Sequence, residues 1–144
     1  MKNNLNIVSV MTPFPYSIDV SSTIAQANQL MAEHDIRHLP VYEDGDLTAI
    51  VSERDLERAC SPGHRPDAET DLLVSDICTY NPYVADVADP LDKVLDAMVD
   101  HRLGAVLVMK EGEMAGIFTA HDACQLLAKT LRSTLEGEPD DIIA

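Results

Sequence analysis

Two pairs of residues have the types and spacing to do chemistry. Ser52 precedes Asp55 by three positions, and Thr119 precedes Asp122 by three. This spacing is typical of a helix capping box, in which the hydroxyl accepts from a backbone N–H group and the acid favours the positive helix end. A helix N-terminus is also able to bind an anion. Both pairs are therefore helix caps and candidate binding residues at once.

Three further residues are candidates to bind a ligand through positive charge. Arg54 and His121 directly precede the two aspartates, and Arg37 enters a predicted strand that begins at His38. An arginine is a permanent cation that can grip phosphate with two hydrogen bonds. The alternative for Arg54 and His121 is a solvated helix position. Gly104 stands as far before Thr119 as Arg37 stands before Ser52 and is uncharged, so the two candidate sites are unequal.

The sequence gives little support for an enzyme. We find no nucleophile–base pair, phosphate-binding loop or zinc-binding helix motif. Cys60, Cys78 and Cys124 are an odd number of well-separated cysteines, which favours reduced core residues over a disulfide framework. We therefore expect no enzymatic activity, no catalytic residues, no metal site and no required cofactor.

Composition narrows the range of partners. The net charge is −15, a field that repels phosphate backbones and anionic membrane surfaces, so nucleic acid and membrane are not expected partners. The apolar stretches are short and interrupted by charges, and the first six residues lack an apolar signal core. We expect a cytoplasmic protein. Apolar residues make up 46% of the chain and aromatic residues only 4%, which predicts an aliphatic core.

The chain repeats itself with a constant offset of 67 residues. Between Ser9 and Ala59 the match needs no gap and gives eleven identities, where chance would give roughly 3. The identical positions in the first copy are Thr12, Pro15, Tyr16, Asp19, Val20, Met31, His34, Val41, Gly45, Ile50 and Asp55. A constant offset indicates duplication of one α/β unit.

Each copy predicts the same order of elements. A short apolar turn and a proline-containing extended segment precede a helix, two strands and a second helix. Ser22 and Asp89 are the predicted N-caps of the first helices, with Pro90 as a first helical residue. The predicted strands are residues 38–42, 47–51, 105–109 and 114–118, and each pair is joined by a turn that contains Gly45 or Gly112.

This pattern resembles the CBS (cystathionine-β-synthase) repeat. The resemblance rests on the segments 11–13, 38–41, 49–55 and 116–122, and it covers about residues 8–132. Gly116 fits the family signature, whereas Ala49 departs from it. The resemblance implies an α/β (α+β) fold of two tandem repeats, each a small sheet with flanking helices, related by a pseudo-two-fold. We divide the chain into repeat 1 (8–60), a linker (61–73), repeat 2 (74–132) and an acidic C-terminal tail (133–144).

The resemblance also implies ligands and their contacts. Family members bind AMP, ADP, ATP or S-adenosylmethionine in clefts between the two repeats. By resemblance, Ser52 and Thr119 would contact phosphate or ribose, and Asp55 and Asp122 would accept from ribose hydroxyls. The full set of predicted ligand-binding residues is Thr12, Arg37, His38, Ser52, Arg54, Asp55, Thr79, Thr119, His121 and Asp122.

Two functions remain open at this point. The first is a non-catalytic sensor that binds an adenine nucleotide or adenosyl ligand and regulates an unidentified protein. The alternative is a ligand-free interaction scaffold that acts through the dimer surface. We expect a homodimer, because the first helices and the last one carry apolar residues that one thin sheet pair would leave exposed. These residues are Ile24, Leu30, Leu91, Met98, Leu126 and Leu127.

Overall fold

The computed structural model describes residues 5–60 and 72–137, with side chains as far as Leu135. The described residues form two compact units. Unit 1 combines the N-terminal segment as far as Pro13 with the chain from Val84 onward, and unit 2 comprises the described part of Phe14–Tyr83. Residues 61–71 of the predicted linker and the last residues of the predicted tail lie outside the described residues.

Both units contain one small sheet with helices. Unit 1 contains α1 (Ile7–Val10), β1 (Thr12–Pro13), β6 (Val84–Asp86), α5 (Leu91–Asp100), β7 (Ala105–Lys110), β8 (Glu113–Thr119) and α6 (Ala120–Gly137). Unit 2 contains β2 (Ile18–Asp19), α2 (Ile24–His34), β3 (His38–Glu43), β4 (Asp46–Ser52), α3 (Glu53–Ala59), α4 (Val74–Ile77) and β5 (Thr79–Tyr80). The predicted mixed fold is confirmed. The first residues of the predicted tail are helical, because α6 continues to Gly137.

The two sequence copies exchange their leading segments. In unit 1 the sheet order is β1-β8-β7-β6, and Thr12 of the first copy pairs with Ile117 of the second. In unit 2 the order is β2-β3-β4-β5, and Thr79 of the second copy pairs with Ile50 of the first. Each sheet therefore has four strands, one of which comes from the other sequence copy. A lone two-residue edge strand leaves no signal in the sequence that names its partner.

Each unit has its own cluster of buried apolar residues. In unit 2 the fully buried members include Leu39, Val41, Val51 and Leu56, and in unit 1 they include Ile7, Val106, Val108 and Phe118. Alternate residues of the central strands supply much of both clusters, as period-two patterning requires. The cores are mainly aliphatic, as expected. Ile24 is fully buried and Met98 is 7% exposed, so their assignment to an exposed dimer face is wrong.

The first helices begin one residue later than predicted. Thr23, not Ser22, is the N-cap of α2, and its hydroxyl accepts from the Gln26 amide at 3.1 Å. Ser22 instead donates its backbone N–H to the Asp19 carbonyl. In the second copy, Pro90 occupies the N-cap position rather than the first helical position.

The side chain of Asp89 also serves a turn rather than the predicted cap. Its Oδ2 accepts from the Asp86 amide at 2.9 Å, upstream of the helix. A short polar side chain bonds to whichever nearby backbone donor the turn presents. Propensity alone therefore leaves the capping residue uncertain by one position.

The two predicted hairpins are confirmed. Asp44 and Gly45 have φ values of 52° and 84°, and Glu111 and Gly112 have values of 51° and 82°. Positive φ at both central residues is the type I′ geometry, whose twist matches that of the flanking strands. Each hairpin holds a central strand in register with the strand that leads to a capping box.

Candidate functional site

Unit 2 places six of the predicted ligand-binding residues around the start of α3. We call this set the Ser52 site: Ser52, Asp55, Arg54, Arg37, His38 and Thr79. The Ser52 hydroxyl accepts from the Asp55 amide at 3.1 Å, and Asp55 Oδ2 accepts from the Ser52 amide at 2.8 Å. The reciprocal bonds form a capping box on a half-buried turn. The turn forms here because β4 ends at Ser52 with extended backbone.

The cations of the Ser52 site reach the solvent. Arg37 is exposed, and its Nη1 lies 3.1 Å from Oε1 of Glu53. Arg54 is exposed, while His38 is half-buried and pairs with Ser52 across strands β3 and β4. Sequence reasoning missed Glu53. The only indication in the sequence is that Glu53 directly follows the capping serine. This indication is weak, because the helix dipole favours an acid at that position in any helix.

The edge strand β5 brings Thr79 into the same sheet. Thr79 pairs with Ile50, two residues before Ser52. Its neighbours are uncharged near neutral pH, because burial raises the pKa of the Cys78 thiol and a hydrogen bond with Cys78 raises the pKa of Tyr80. The Tyr80 hydroxyl donates to the Ser75 carbonyl at 3.0 Å. These two side chains therefore add no negative charge beside Thr79.

Unit 1 holds the remaining four predicted residues, which we call the Thr119 site: Thr119, Asp122, His121 and Thr12. The Thr119 hydroxyl accepts from the Asp122 amide at 3.1 Å, and Asp122 Oδ2 accepts from the Thr119 amide at 2.9 Å. Thr12 lies on β1, beside the strand that ends at Thr119. His121 is exposed on the first turn of α6.

Gly116 allows the close approach of β1 in this unit. A Cβ atom at this position would lie 2.6 Å from the Met11 sulfur and 2.7 Å from the Thr12 carbonyl oxygen. Both distances are shorter than real contacts, and a backbone oxygen cannot swing away. The glycine of the family signature is thus required here by packing. Met11 lies against the unit 1 core.

Each of the two sites combines predicted residues from both sequence copies. Thr12 of the first copy joins the second capping box, and Thr79 of the second copy joins the first. Their roles as ligand contacts stay predictions. Within residues 5–60 and 72–137, no cluster of three or more His, Cys, Asp or Glu residues could hold a metal ion. None of the helices in this part of the chain has the length and apolar character needed to cross a membrane.

The chain is therefore a tandem-repeat module of two α/β units. Each unit has a hydroxyl–aspartate capping box after its last central strand. The family model for the CBS domain matches residues 7–61 and 74–129. The chain therefore belongs to the CBS domain family, as its resemblance predicted.

Relatives and solved structures agree with this assignment. A CBS domain-containing protein from Dictyostelium discoideum is 28% identical over 134 residues, which cover 87% of this chain and 92% of the relative. The CBS domain pair of protein MJ0100, solved with 5′-methylthioadenosine and S-adenosyl-L-methionine, has a TM-score of 0.76 at 22% identity, with 88% of this chain and 98% of that chain covered. CBSX2, solved with AMP, has a TM-score of 0.73 at 19% identity, with coverage of 88% and 98%.

Proposed function

We propose that this chain is a non-catalytic regulatory module of the cytoplasm that binds an adenosine-containing ligand, such as AMP or S-adenosylmethionine, at the Ser52 and Thr119 sites. The observation that carries the proposal is the twin capping box. In both copies the cap uses Oδ2 of the aspartate, and a carboxylate has a second oxygen that can accept from a ribose hydroxyl. Structural neighbours solved with AMP or with S-adenosyl-L-methionine support this ligand class.

Charge favours small anions over triphosphates. The chain carries a net charge of −15, and only Arg37 and Arg54 bring fixed positive charge to the Ser52 site. Coulomb repulsion from so acidic a protein grows with the charge of the ligand. We therefore propose AMP or an adenosyl ligand ahead of ATP.

Calorimetric titration with AMP, ATP and S-adenosylmethionine tests the proposal. Asp55→Ala and Asp122→Ala should each weaken one binding event by about 1–3 kcal/mol, through lost hydrogen bonds to ribose. Asp76→Ala is the matched control. Asp76 Oδ2 accepts from the Leu73 amide at 2.8 Å, so this variant loses an equivalent cap on α4 without touching either site.

Two outcomes would contradict the proposal in different ways. If none of these ligands binds the wild type at millimolar concentration, the interaction scaffold becomes the better function. If the wild type binds but Asp55→Ala and Asp122→Ala behave like Asp76→Ala, then Asp55 and Asp122 are caps alone and the ligand contacts lie elsewhere.

We also propose that the chain forms a homodimer through unit 1. A groove of about 670 Å³ lies between α5 and α6 and is lined by apolar side chains that include Leu91, Leu95 and Leu126. Leu127, which also lines the groove, is more than half exposed, as are Leu131 and Leu135 along the same face of α6. Exposed apolar surface of this kind is typical of an interface.

Charge complementarity favours a second copy as the occupant of this surface. Helix α5 presents the exposed acids Asp92, Asp96 and Asp100, whereas α6 presents the exposed cation Arg132 at the edge of its apolar face. An isologous contact that sets the α5 of one copy against the α6 of the other brings Arg132 of each copy towards the acids of its partner. One self-complementary surface can therefore serve both subunits.

Light scattering at tens of micromolar tests the dimer. Leu127→Glu with Leu131→Glu should convert the dimer to a monomer, because two charges would be buried at the interface. Ser133→Glu is the control, since its position on α6 is about 200° from Leu131 at 100° per residue. A monomeric wild type, or a double variant that remains dimeric, would contradict the proposal.

A further inference from the structure

Arg37, one of the two arginines of the Ser52 site, is paired with a carboxylate. Its Nη1 lies 3.1 Å from Oε1 of Glu53, and the Glu53 backbone N–H donates to the Arg37 carbonyl at 2.8 Å. Glu53 is the first residue of α3 and directly follows Ser52. The ion pair is thus held by the backbone against the turn that carries the capping box.

The second copy of the sequence lacks both charges. At the 67-residue offset, Gly104 replaces Arg37 and Ala120 replaces Glu53. The backbone bond remains, with the Ala120 N–H donating to the Gly104 carbonyl at 2.9 Å. The turn therefore forms without the ion pair. Since the pair is not needed to build the turn, its effect must be sought in the charge of the site.

Glu53 competes with any ligand anion for Arg37. The side chains of Arg37 and Glu53 are 72% and 39% exposed, so water and salt weaken their attraction. A phosphate can displace the carboxylate, and the guanidinium fork suits phosphate geometry. Displacement nevertheless costs the ion pair and leaves the Glu53 charge beside the incoming phosphate. A ligand without phosphate would meet neither cost.

We infer that Glu53 sets the charge selectivity of the Ser52 site by holding Arg37 against phosphorylated ligands while leaving adenosyl ligands unaffected. The inference rests on the proposed function, because it requires that an adenosine ligand binds this site. Glu53 is thus a specificity-determining residue that does not itself contact the ligand. The two sites should then differ in ligand preference, since Gly104 and Ala120 stand where an equivalent pair would be at the Thr119 site.

Two ligands and two variants test the inference. AMP and 5′-methylthioadenosine share adenine and the ribose ring and differ at the 5′ position, which carries a charged phosphate in AMP and an uncharged methylthio group in the other ligand. Each is titrated calorimetrically into wild type, Glu53→Gln and Glu113→Gln. Glu53→Gln keeps the side-chain size and should tighten AMP about two- to fivefold, the range that one exposed ion pair can supply. Binding of 5′-methylthioadenosine should stay unchanged. Glu113→Gln alters the net charge equally at an exposed position in unit 1.

A double variant shows whether the effect passes through Arg37. In an Arg37→Gln background, Glu53→Gln should give no gain in AMP affinity, because the competition has been removed. An equal gain in Glu113→Gln, an equal gain for both ligands, or a gain that survives Arg37→Gln would each overturn the inference while leaving the proposed function intact. Failure of both ligands to bind wild type would instead overturn the proposed function, and the inference with it.

Discussion

The two units share the same backbone arrangement at the capping box and differ in the side chains around it. Both place a capping box at the end of an equivalent strand, with equivalent hydrogen bonds of 2.8–3.1 Å. Unit 2 adds the Arg37–Glu53 ion pair to this turn, whereas unit 1 has uncharged residues there. Unit 1 instead requires a glycine beside its edge strand, where unit 2 carries Ala49. The comparison separates what the fold needs from what each copy has added.

Beside the edge strand, an exchange between glycine and alanine should have opposite effects on packing in the two copies. Gly116 faces the Met11 side chain, whereas the counterpart of Met11 in the other copy is the smaller Cys78. The methyl group of Ala49 is fully buried and adds to the unit 2 core. In unit 1 the small Gly116 thus accompanies the large Met11, and in unit 2 the larger Ala49 accompanies the smaller Cys78.

Gly116→Ala should give the largest effect on stability. The added Cβ would lie 2.6–2.7 Å from the Met11 sulfur and the Thr12 carbonyl, so β1 must shift away from β8. We expect the free energy of unfolding to fall by about 1–3 kcal/mol, the usual cost of overpacking. Urea denaturation followed by circular dichroism would measure it.

Ala49→Gly is the matched control for this substitution. It opens space instead of filling it and should cost about 1 kcal/mol, through backbone entropy and a lost buried methyl group. A Gly116→Ala variant as stable as the wild type would show that the close approach of β1 is not needed.

Loss of the capping hydroxyls should have the next largest effect. Ser52→Ala and Thr119→Ala each leave one helix-terminal N–H without its acceptor, and each should lower the free energy of unfolding by about 1 kcal/mol. Thr48→Ala is the control, since the Thr48 hydroxyl donates to the Asp46 carbonyl and caps no helix. A large difference in denaturation midpoint between Ser52→Ala and Thr119→Ala would show that the two capping boxes do not stabilise the protein equally.

A third difference between the copies lies in the segment after the edge strand. Phe14 has a φ of 48° and its counterpart Asn81 has a φ of 54°. Asparagine adopts this left-handed conformation readily, whereas a phenylalanine pays for it in steric strain. Because the Phe14 side chain is 89% exposed, it recovers little by burial.

Phe14→Asn should therefore stabilise the protein, by about 1 kcal/mol. The reciprocal Asn81→Phe should destabilise it by a similar amount, and thermal denaturation of both variants would check the sign. A loss of stability in Phe14→Asn would mean that the exposed ring makes contacts that offset its backbone strain.

The sequence predicted those parts of the molecule that rest on local chemistry. The hairpin turns follow from residues that tolerate positive φ, and the capping boxes follow from Ser52 and Thr119 at the required spacing. The family assignment follows from the repeat. The turns and the capping boxes depend on neighbours within four residues, and the repeat is visible when the sequence is compared with itself.

The parts that depend on distant contacts could not be predicted. The exchange of β1 and β5 places Thr12 with the second capping box, and a two-residue strand carries no pattern that names its partner. The Arg37–Glu53 pair joins residues 16 positions apart, across a hairpin. Among the predicted dimer residues, Ile24 and Met98 proved buried because helical spacing shows which residues share a face, and not how much of it is covered.

The smallest expected effect concerns the turn before the first helix of each copy. In unit 2 the Ser21 hydroxyl and amide both donate to Asp19 Oδ1, at 2.7 and 2.9 Å. These bonds, the hydroxyl first, hold the pKa of Asp19 below its usual value. In unit 1 the counterpart of Ser21 is Ala88, which can offer only its amide to Asp86.

Ser21→Ala should therefore raise the pKa of Asp19 and make this turn resemble its counterpart. The pKa of Asp19 in the folded protein lies below its value of about 3.9 in an unfolded chain. Its contribution to stability is then fully present above pH 4 or so, and it is lost as the pH falls through the folded-state pKa. Carboxyl-carbon NMR titration of wild type and Ser21→Ala would measure the shift, with Asp86 as the internal reference. An Asp19 titration midpoint that does not move upon loss of the hydroxyl would assign the lowered pKa to the backbone amide alone.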